Sequence, residues 1–140
     1  MTDLNIVEKV MALEAVELFK TLTPDQLARI ASIASIQRHS PARKIIRPEE
    51  PLEALYVIYD GSVELSRGGE VIHVAGHNEV LGAWALFDET PMPITATTLE
   101  ETTLLRIGRD DFHDLLSDNV EIMGAVFSAL VKRFRKLVEP

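Results

Sequence analysis

The sequence contains no cysteine, which excludes disulfides and any thiolate metal site. A reducing cytoplasm suits such a chain. Basic residues are also scarce: 14 Lys and Arg stand against 22 Asp and Glu, a formal net charge of −8. That balance argues against a nucleic-acid binder, which needs cations to neutralise phosphates, and against an anionic lipid surface. No apolar stretch approaches the ~20 residues of a membrane span, since charge interrupts each within a few positions. Met1-Thr2-Asp3-Leu4-Asn5 offers neither a basic region nor an apolar core, so no signal peptide is expected. Neither G-x-S-x-G nor a phosphate-binding glycine loop occurs, and no enzyme signature emerges.

What is present is a globular composition, 46% apolar and 26% charged. At 140 residues the chain suits one domain, 1–140. Its texture divides into N-terminal helices (1–35), a β region (36–108) and C-terminal helices (109–140). Leu4, Val7, Met11, Ala15 and Leu18 recur at helical spacing and predict one helix from Leu4 to Phe19. Thr23-Pro24-Asp25-Gln26 combines a capping box with proline at the first helical position, and predicts a second helix to about Ser35.

Short β-branched runs follow: Ile36–His39, Lys44–Arg47, Ala54–Tyr59, Ser62–Arg67, Val71–Val74, Glu79–Leu81, Ile94–Thr98 and Thr103–Ile107. Asp60-Gly61, Gly68-Gly69 and Ala75-Gly76-His77-Asn78 mark turns between them. Strands this short and regular predict a closed barrel or a jelly roll. Helix returns at Arg109, where Asp110 and Asp111 suit a first turn. After Ser117-Asp118-Asn119 a last helix spans Val120 to Val138, with Lys132, Arg133, Arg135 and Lys136 near its C-terminal end.

Three segments in this order resemble the cyclic-nucleotide-binding domain family. Val16-Glu17-Leu18-Phe19-Lys20-Thr21-Leu22-Thr23 is similar to its "PLF-x-x-L-[ST]" segment. Ala54-Leu55-Tyr56-Val57-Ile58-Tyr59-Asp60-Gly61-Ser62-Val63 is similar to its "LY-[VI]-[VI]-x-x-G-x-[VA]" hairpin. Leu81-Gly82-Ala83-Trp84-Ala85-Leu86-Phe87 resembles the start of its phosphate-binding cassette. The resemblance implies a mainly β fold with flanking helices: a β-barrel or jelly roll between two N-terminal and two C-terminal helices. It also raises cyclic AMP or cyclic GMP as ligands, and a regulatory rather than catalytic role.

The family's cassette reads roughly "F-G-E-[LI]-A-L", then "P-R-[ST]-A". Its Glu accepts a hydrogen bond from the ribose hydroxyl, and its Arg pairs with the cyclic phosphate. In this chain Gly82, Ala85 and Leu86 match, but Ala83 stands at the Glu position and Trp84 replaces an aliphatic residue. Thr97-Thr98-Leu99-Glu100-Glu101-Thr102 resembles the family's "T-A-L-E-[DE]-T". Counting back from it puts Pro91 on the proline, Met92 on the Arg and Pro93 on the [ST], with Thr95 and Ala96 continuing the strand. No Lys or Arg lies between Gly69 and Arg106, so no local shift supplies the phosphate partner. Arg67 or Arg43 would have to reach it from another strand. Losing the charged partner costs about 2–5 kcal/mol and losing the ribose hydrogen bond about 1.5–3 kcal/mol. Together they lower affinity by about three to five orders of magnitude. No bound cofactor is therefore expected, and cyclic AMP or cyclic GMP only weakly.

Two readings stay open beside this one. A working sensor of cyclic AMP or cyclic GMP would use an atypical pocket. A metal-dependent, cupin-like enzyme would use His73, His77 and Glu79, although Gly76 sets a turn between the histidines and their spacing is not the usual H-x-H. In the last helix Val120, Met123, Phe127, Leu130, Phe134 and Leu137 follow 3-4-3-4-3 spacing, with Ile122, Val126 and Ala129 beside them. The stripe either covers the chain's own β layer or meets a second copy or a neighbouring domain. Activator-type relatives pair two subunits there and carry a helix-turn-helix next. None follows before Pro140, so direct DNA binding is not expected of this chain.

Overall fold

The computed structural model describes residues 4–139. Helix α1 covers Ile6–Leu13, a 3-10 turn covers Glu17–Phe19, and α2 covers Pro24–Ile33. Eight strands follow: β1 (Ser35–His39), β2 (Lys44–Ile46), β3 (Ala54–Asp60), β4 (Val63–Arg67), β5 (Glu70–Ala75), β6 (Val80–Leu81), β7 (Thr95–Thr98) and β8 (Thr102–Gly108). A 3-10 turn at Ala83–Leu86 separates β6 from β7, and α3 (Arg109–Asp118) and α4 (Val120–Val138) complete the chain.

The strands form two antiparallel four-stranded sheets, ordered β1-β8-β3-β6 and β2-β7-β4-β5. Among the described residues no ladder joins the two sheets, so the architecture is a jelly roll and not a closed barrel. The eight strands lie where the β-branched runs place them, with no end displaced by more than one residue.

The reason for the long apolar runs in β3 and β8 is visible in the layering. Leu55, Val57, Leu105 and Ile107 face the helices, while Ile58 and Leu104 face the second sheet. Strands covered on both faces need apolar residues at consecutive positions. The helical side is filled by Leu13, Phe19, Ile30 and Phe112, all fully buried. Phe19 and Phe112 pack with ring centroids 6.1 Å apart.

One helix departs from expectation. The predicted helix from Leu4 to Phe19 ends at Leu13, and Val16 is extended before the 3-10 turn. Val16 and Leu18 would lie about 200° apart on a continuous helix. The break lets both enter the core, where each is buried. The predicted stripe is consequently wrong in part: Val7 and Met11 are exposed, and Ala12 and Leu13 carry the packing. Polar bonds fix the shortened helix. Asn5 and Glu8 form a capping box, Lys9 Nζ donates to Ala34 O (2.9 Å), and the Tyr59 hydroxyl donates to Glu8 Oε2 (3.1 Å).

The Thr23/Gln26 capping box forms as predicted and starts α2. Gly61, between β3 and β4, has φ +104°; a Cβ there would lie 2.7 Å from Thr102 Cα and 2.8 Å from Glu101 O. Only glycine fits so close to a neighbouring backbone.

Candidate functional site

The loop from β6 to β7 begins at Gly82, whose φ of +72° is left-handed. A Cβ at this position would meet Leu52 Cδ2 at 2.6 Å and Ala54 O at 3.2 Å. Glycine therefore both turns the chain and lets it press against β3 and the residues leading into it. The Ala83–Leu86 turn follows, closed by Ala85 N–H to Gly82 O (2.9 Å) and Phe87 N–H to Trp84 O (2.9 Å). Ala85 and Leu86 are buried beneath it.

Two residues of α3 hold this turn from below. The Arg109 side chain is 11% exposed, and Nη1 donates to both Leu52 O and Ala85 O at 3.3 Å. Its Nη2 pairs with the exposed Glu89 at 3.3 Å. His113 Nε2 lies 2.6 Å from Leu86 O; a carbonyl only accepts, so this nitrogen carries the proton. Beyond the turn, Asp88 Oδ1 accepts from Thr90 N–H (3.0 Å) and the Thr90 hydroxyl (2.8 Å). These bonds hold the Asp88 carboxyl below its usual pKa.

The cassette turn forms one wall of a cavity of about 640 Å³. Gly82, Ala83, Trp84 and Met92 all line it. The structure thus brings together four of the seven residues singled out in the cassette. It separates the other three: Ala85 is in the core, Pro93 is exposed, and Thr95 is half-buried in β7 opposite Ser66. Arg43 and Arg67, the two cations considered as partners from other strands, are not among the lining residues.

The remaining wall was not visible in the cassette. Ile46, Leu65, Leu81 and Ile94 supply an apolar floor from the strands. The 3-10 turn at Glu17–Phe19 contributes Glu17 and Leu18, and α4 contributes Leu130, Arg133 and Leu137. Arg133 is the one cation among the lining residues, and its Nη1 is 3.4 Å from Glu17 Oε2. A signal for it existed: Ile122, Val126, Ala129 and Arg133 follow 4-3-4 spacing and share a helix face.

The two stripes of α4 part company. Ile122 and Val126 are buried on this chain, and Met123, Ala129 and Leu130 are half-buried. Val120, Phe127, Phe134 and Leu137 are exposed, the two phenylalanines by 61% each. The helix packs on α3 and the Glu17–Phe19 turn mainly through Ile122 and Val126, with Met123 and Leu130 of the 3-4 seam partly covered beside them and the rest of that seam exposed.

The histidines serve local structure. His73 Nε2 is 2.8 Å from Glu79 Oε2, while His77 Nδ1 faces Tyr59 O, a different partner. Among the described residues no three His, Asp or Glu side chains converge on a metal-sized site. None of the described helices is long and apolar enough to cross a membrane.

Comparison with known proteins agrees with this geometry. A family model described as "Cyclic nucleotide-binding domain" matches residues 36–119. A CRP-like cAMP-activated global transcriptional regulator of Mycobacterium tuberculosis is 24% identical over 124 residues, 85% of this chain and 55% of the regulator. A cGMP-dependent protein kinase of Eimeria tenella is 29% identical over 106 residues, 76% of this chain and 11% of the kinase. The crystal structure of the N-terminal domain of a transcriptional regulator from Streptomyces coelicolor superposes with a TM-score of 0.87 at 28% identity, covering 91% of this chain and 95% of that one. The chain spans about half the length of the mycobacterial regulator and a small part of the kinase. With an eight-stranded jelly roll, flanking helices and a family match over most of the β region, this chain belongs to the cyclic nucleotide-binding domain family.

Proposed function

We propose that this chain is a non-catalytic regulatory domain, working in the cytoplasm, that does not hold cyclic nucleotide tightly and acts on a partner through α4. The observation that carries the reading is the cavity wall, which Ala83 and Met92 line; the sequence resemblance assigns these two residues to the family's ribose and phosphate positions. The one lining cation, Arg133, is already paired with Glu17. A nucleotide would have to break that pair to obtain a phosphate partner. The acidic net charge adds repulsion of an anionic ligand.

The partner surface is the exposed stripe of α4. Val120, Phe127, Val131, Phe134 and Val138 are all more than half exposed. Soluble monomers seldom leave a large contiguous apolar patch open. A second copy, or a neighbouring domain, would cover it, and two-fold dimers are the commonest assemblies. DNA contact by this chain is not part of the proposal, since its charge is unsuited to phosphates.

Titration calorimetry with cyclic AMP and cyclic GMP tests the central point. No heat is expected at micromolar nucleotide, and a saturable micromolar isotherm would overturn the reading. The double variant Ala83→Glu with Met92→Arg is expected to gain binding. A gain from changes elsewhere, and none here, would show that Ala83 and Met92 do not occupy the family's positions.

A further inference from the structure

The same cavity has a ligand chemistry of its own. Its volume of about 640 Å³ lies within the range of small-molecule pockets. Its floor is hydrocarbon: Ile46, Leu81 and Ile94 are buried, and Leu65, Val80 and Met92 are half-buried around the same space. Water in such a space makes few hydrogen bonds, and an apolar group that displaces it gains affinity.

The charges at the mouth exclude more than they invite. Glu17 and Arg133 are its only ionisable lining groups, and they neutralise each other at 3.4 Å. An anion has to take Arg133 from Glu17 and then lie beside that carboxylate; a cation meets the converse. The net charge of −8 adds a further penalty for anions. An uncharged molecule leaves the pair intact. Asn78 also lines the cavity, and its amide offers one uncharged donor and acceptor.

We infer that the cavity takes an uncharged, mainly apolar small molecule with one hydrogen-bonding head group, and that the Glu17–Arg133 pair closes over it. This rests on the proposed function, in which the pocket is not committed to cyclic nucleotide. Because Leu130, Arg133 and Leu137 belong to α4, occupancy is read directly by the helix that carries the exposed apolar stripe.

The chain carries its own reporter. Trp84 is the single tryptophan and lines the cavity. Its fluorescence is followed while the full chain is titrated with hexanol, octanol and decanol, and with octanoate and decanoate below micelle concentrations. Alcohol affinity is expected to rise about fourfold per added methylene, the transfer free energy of a buried CH₂ expressed as a binding ratio. Each carboxylate is expected to bind at least about tenfold more weakly than its alcohol. Equal or tighter carboxylate binding, or no chain-length dependence, would overturn the inference.

Leu65→Phe and Met92→Phe narrow the cavity and are each expected to weaken octanol about tenfold. Measured at a concentration where the wild type is monomeric, Phe127→Glu with Phe134→Glu alters only the outer stripe and is expected to leave octanol binding unchanged. The reverse pattern places the alcohol on the outside of α4 and refutes the cavity. If one narrowing variant fails to melt cooperatively, the other carries the comparison. A cyclic AMP arm separates the two levels: cyclic AMP that binds and displaces octanol removes the nucleotide-free reading but keeps the ligand class. Absence of any alcohol binding removes the ligand class but leaves the nucleotide-free reading standing.

Discussion

Replacing Arg109 by alanine tests how the cassette turn is held. The guanidinium is nearly buried and its Nη1 bonds two main-chain carbonyls, Leu52 O and Ala85 O, each at 3.3 Å. Leu52 precedes β3 and Ala85 lies within the turn, so one side chain ties the turn to the sheet. Hydrogen bonds to a charged group contribute about 1.5–3 kcal/mol each. At 3.3 Å both are longer than the usual range, so the low end of that figure applies. Alanine also strands two carbonyls, though part of that loss is recovered by water entering the vacated space. The net cost is about 2–4 kcal/mol.

The Glu89 partner gives the internal control. Its side chain is 80% exposed, and an ion pair of that kind contributes about 0–1 kcal/mol. Glu89→Ala is therefore expected to be nearly neutral. Arg109→Lys is expected to recover less than half of the loss, because a single ammonium lacks the planar fork that reaches both carbonyls. Urea denaturation followed by circular dichroism measures all three, and Trp84 fluorescence reports the turn directly. If Arg109→Ala costs under about 1 kcal/mol, or Glu89→Ala costs as much, the two carbonyl contacts do not hold the turn.

Three further outcomes follow from particular contacts. Gly61→Ala is expected to destabilise by about 2–4 kcal/mol, and more than Gly82→Ala, because its new Cβ meets the backbone of Thr102 while that of Gly82 meets mainly the movable end of Leu52; urea midpoints compare them. His39 has its pKa lowered by burial and by Arg43, so its neutral form is favoured in the fold. Its contribution is full above the unfolded value and lost as pH falls below it. Melting temperature should then drop between about pH 7 and pH 5, less so in His39→Gln, and equal slopes would refute the assignment. Light scattering is expected to show a concentration-dependent dimer that Phe127→Glu with Phe134→Glu dissociates; a wild type that stays monomeric at high concentration removes the dimer.

The legible parts of the sequence were those where local and global demands coincide. Each strand is short, β-branched and bounded by residues that turn, and each appears in place. Asp60-Gly61 marks its turn because the backbone of Thr102 leaves no room for a Cβ. The capping boxes are equally local: Thr23 and Gln26 read as a helix start and form one. The first helix misled because Val7, Met11 and Leu18 satisfy a 3.6-residue period that tertiary packing does not use. The core recruits Val16, Leu18 and Phe19 together, and a continuous helix cannot present all three. Barrel and jelly roll share the same strand lengths, so only the ladders distinguish them. Within the site, Gly82, Ala83, Trp84 and Met92 were singled out by resemblance and do line one cavity, whereas Ala85, Pro93 and Thr95 do not. Arg133 was not singled out: its 4-3-4 spacing from Ile122 puts it on the packed face of α4, but basic residues near a helix C-terminus are expected on general grounds and nothing local ties one of them to Glu17, 116 positions away.

That last contact gives α4 its two assignments. Ile122 and Val126 anchor its first half on the helical core. Beyond Leu130 every described residue through Glu139 is exposed, although Arg133 and Leu137 still border the cavity. The second half is therefore joined to the body mainly through the pocket mouth and the Glu17–Arg133 pair, itself half exposed and weak. A segment attached so lightly has a low cost of local displacement. Whatever fills the cavity gives Leu130 and Leu137 a new apolar neighbour, while a partner on the outer stripe gives one to Phe127 and Phe134. On the proposed function both events would order the same half-helix, so each would lower the cost of the other. Coupling between pocket and partner surface then requires no rearrangement of the jelly roll, only a change in how firmly the end of one helix is held.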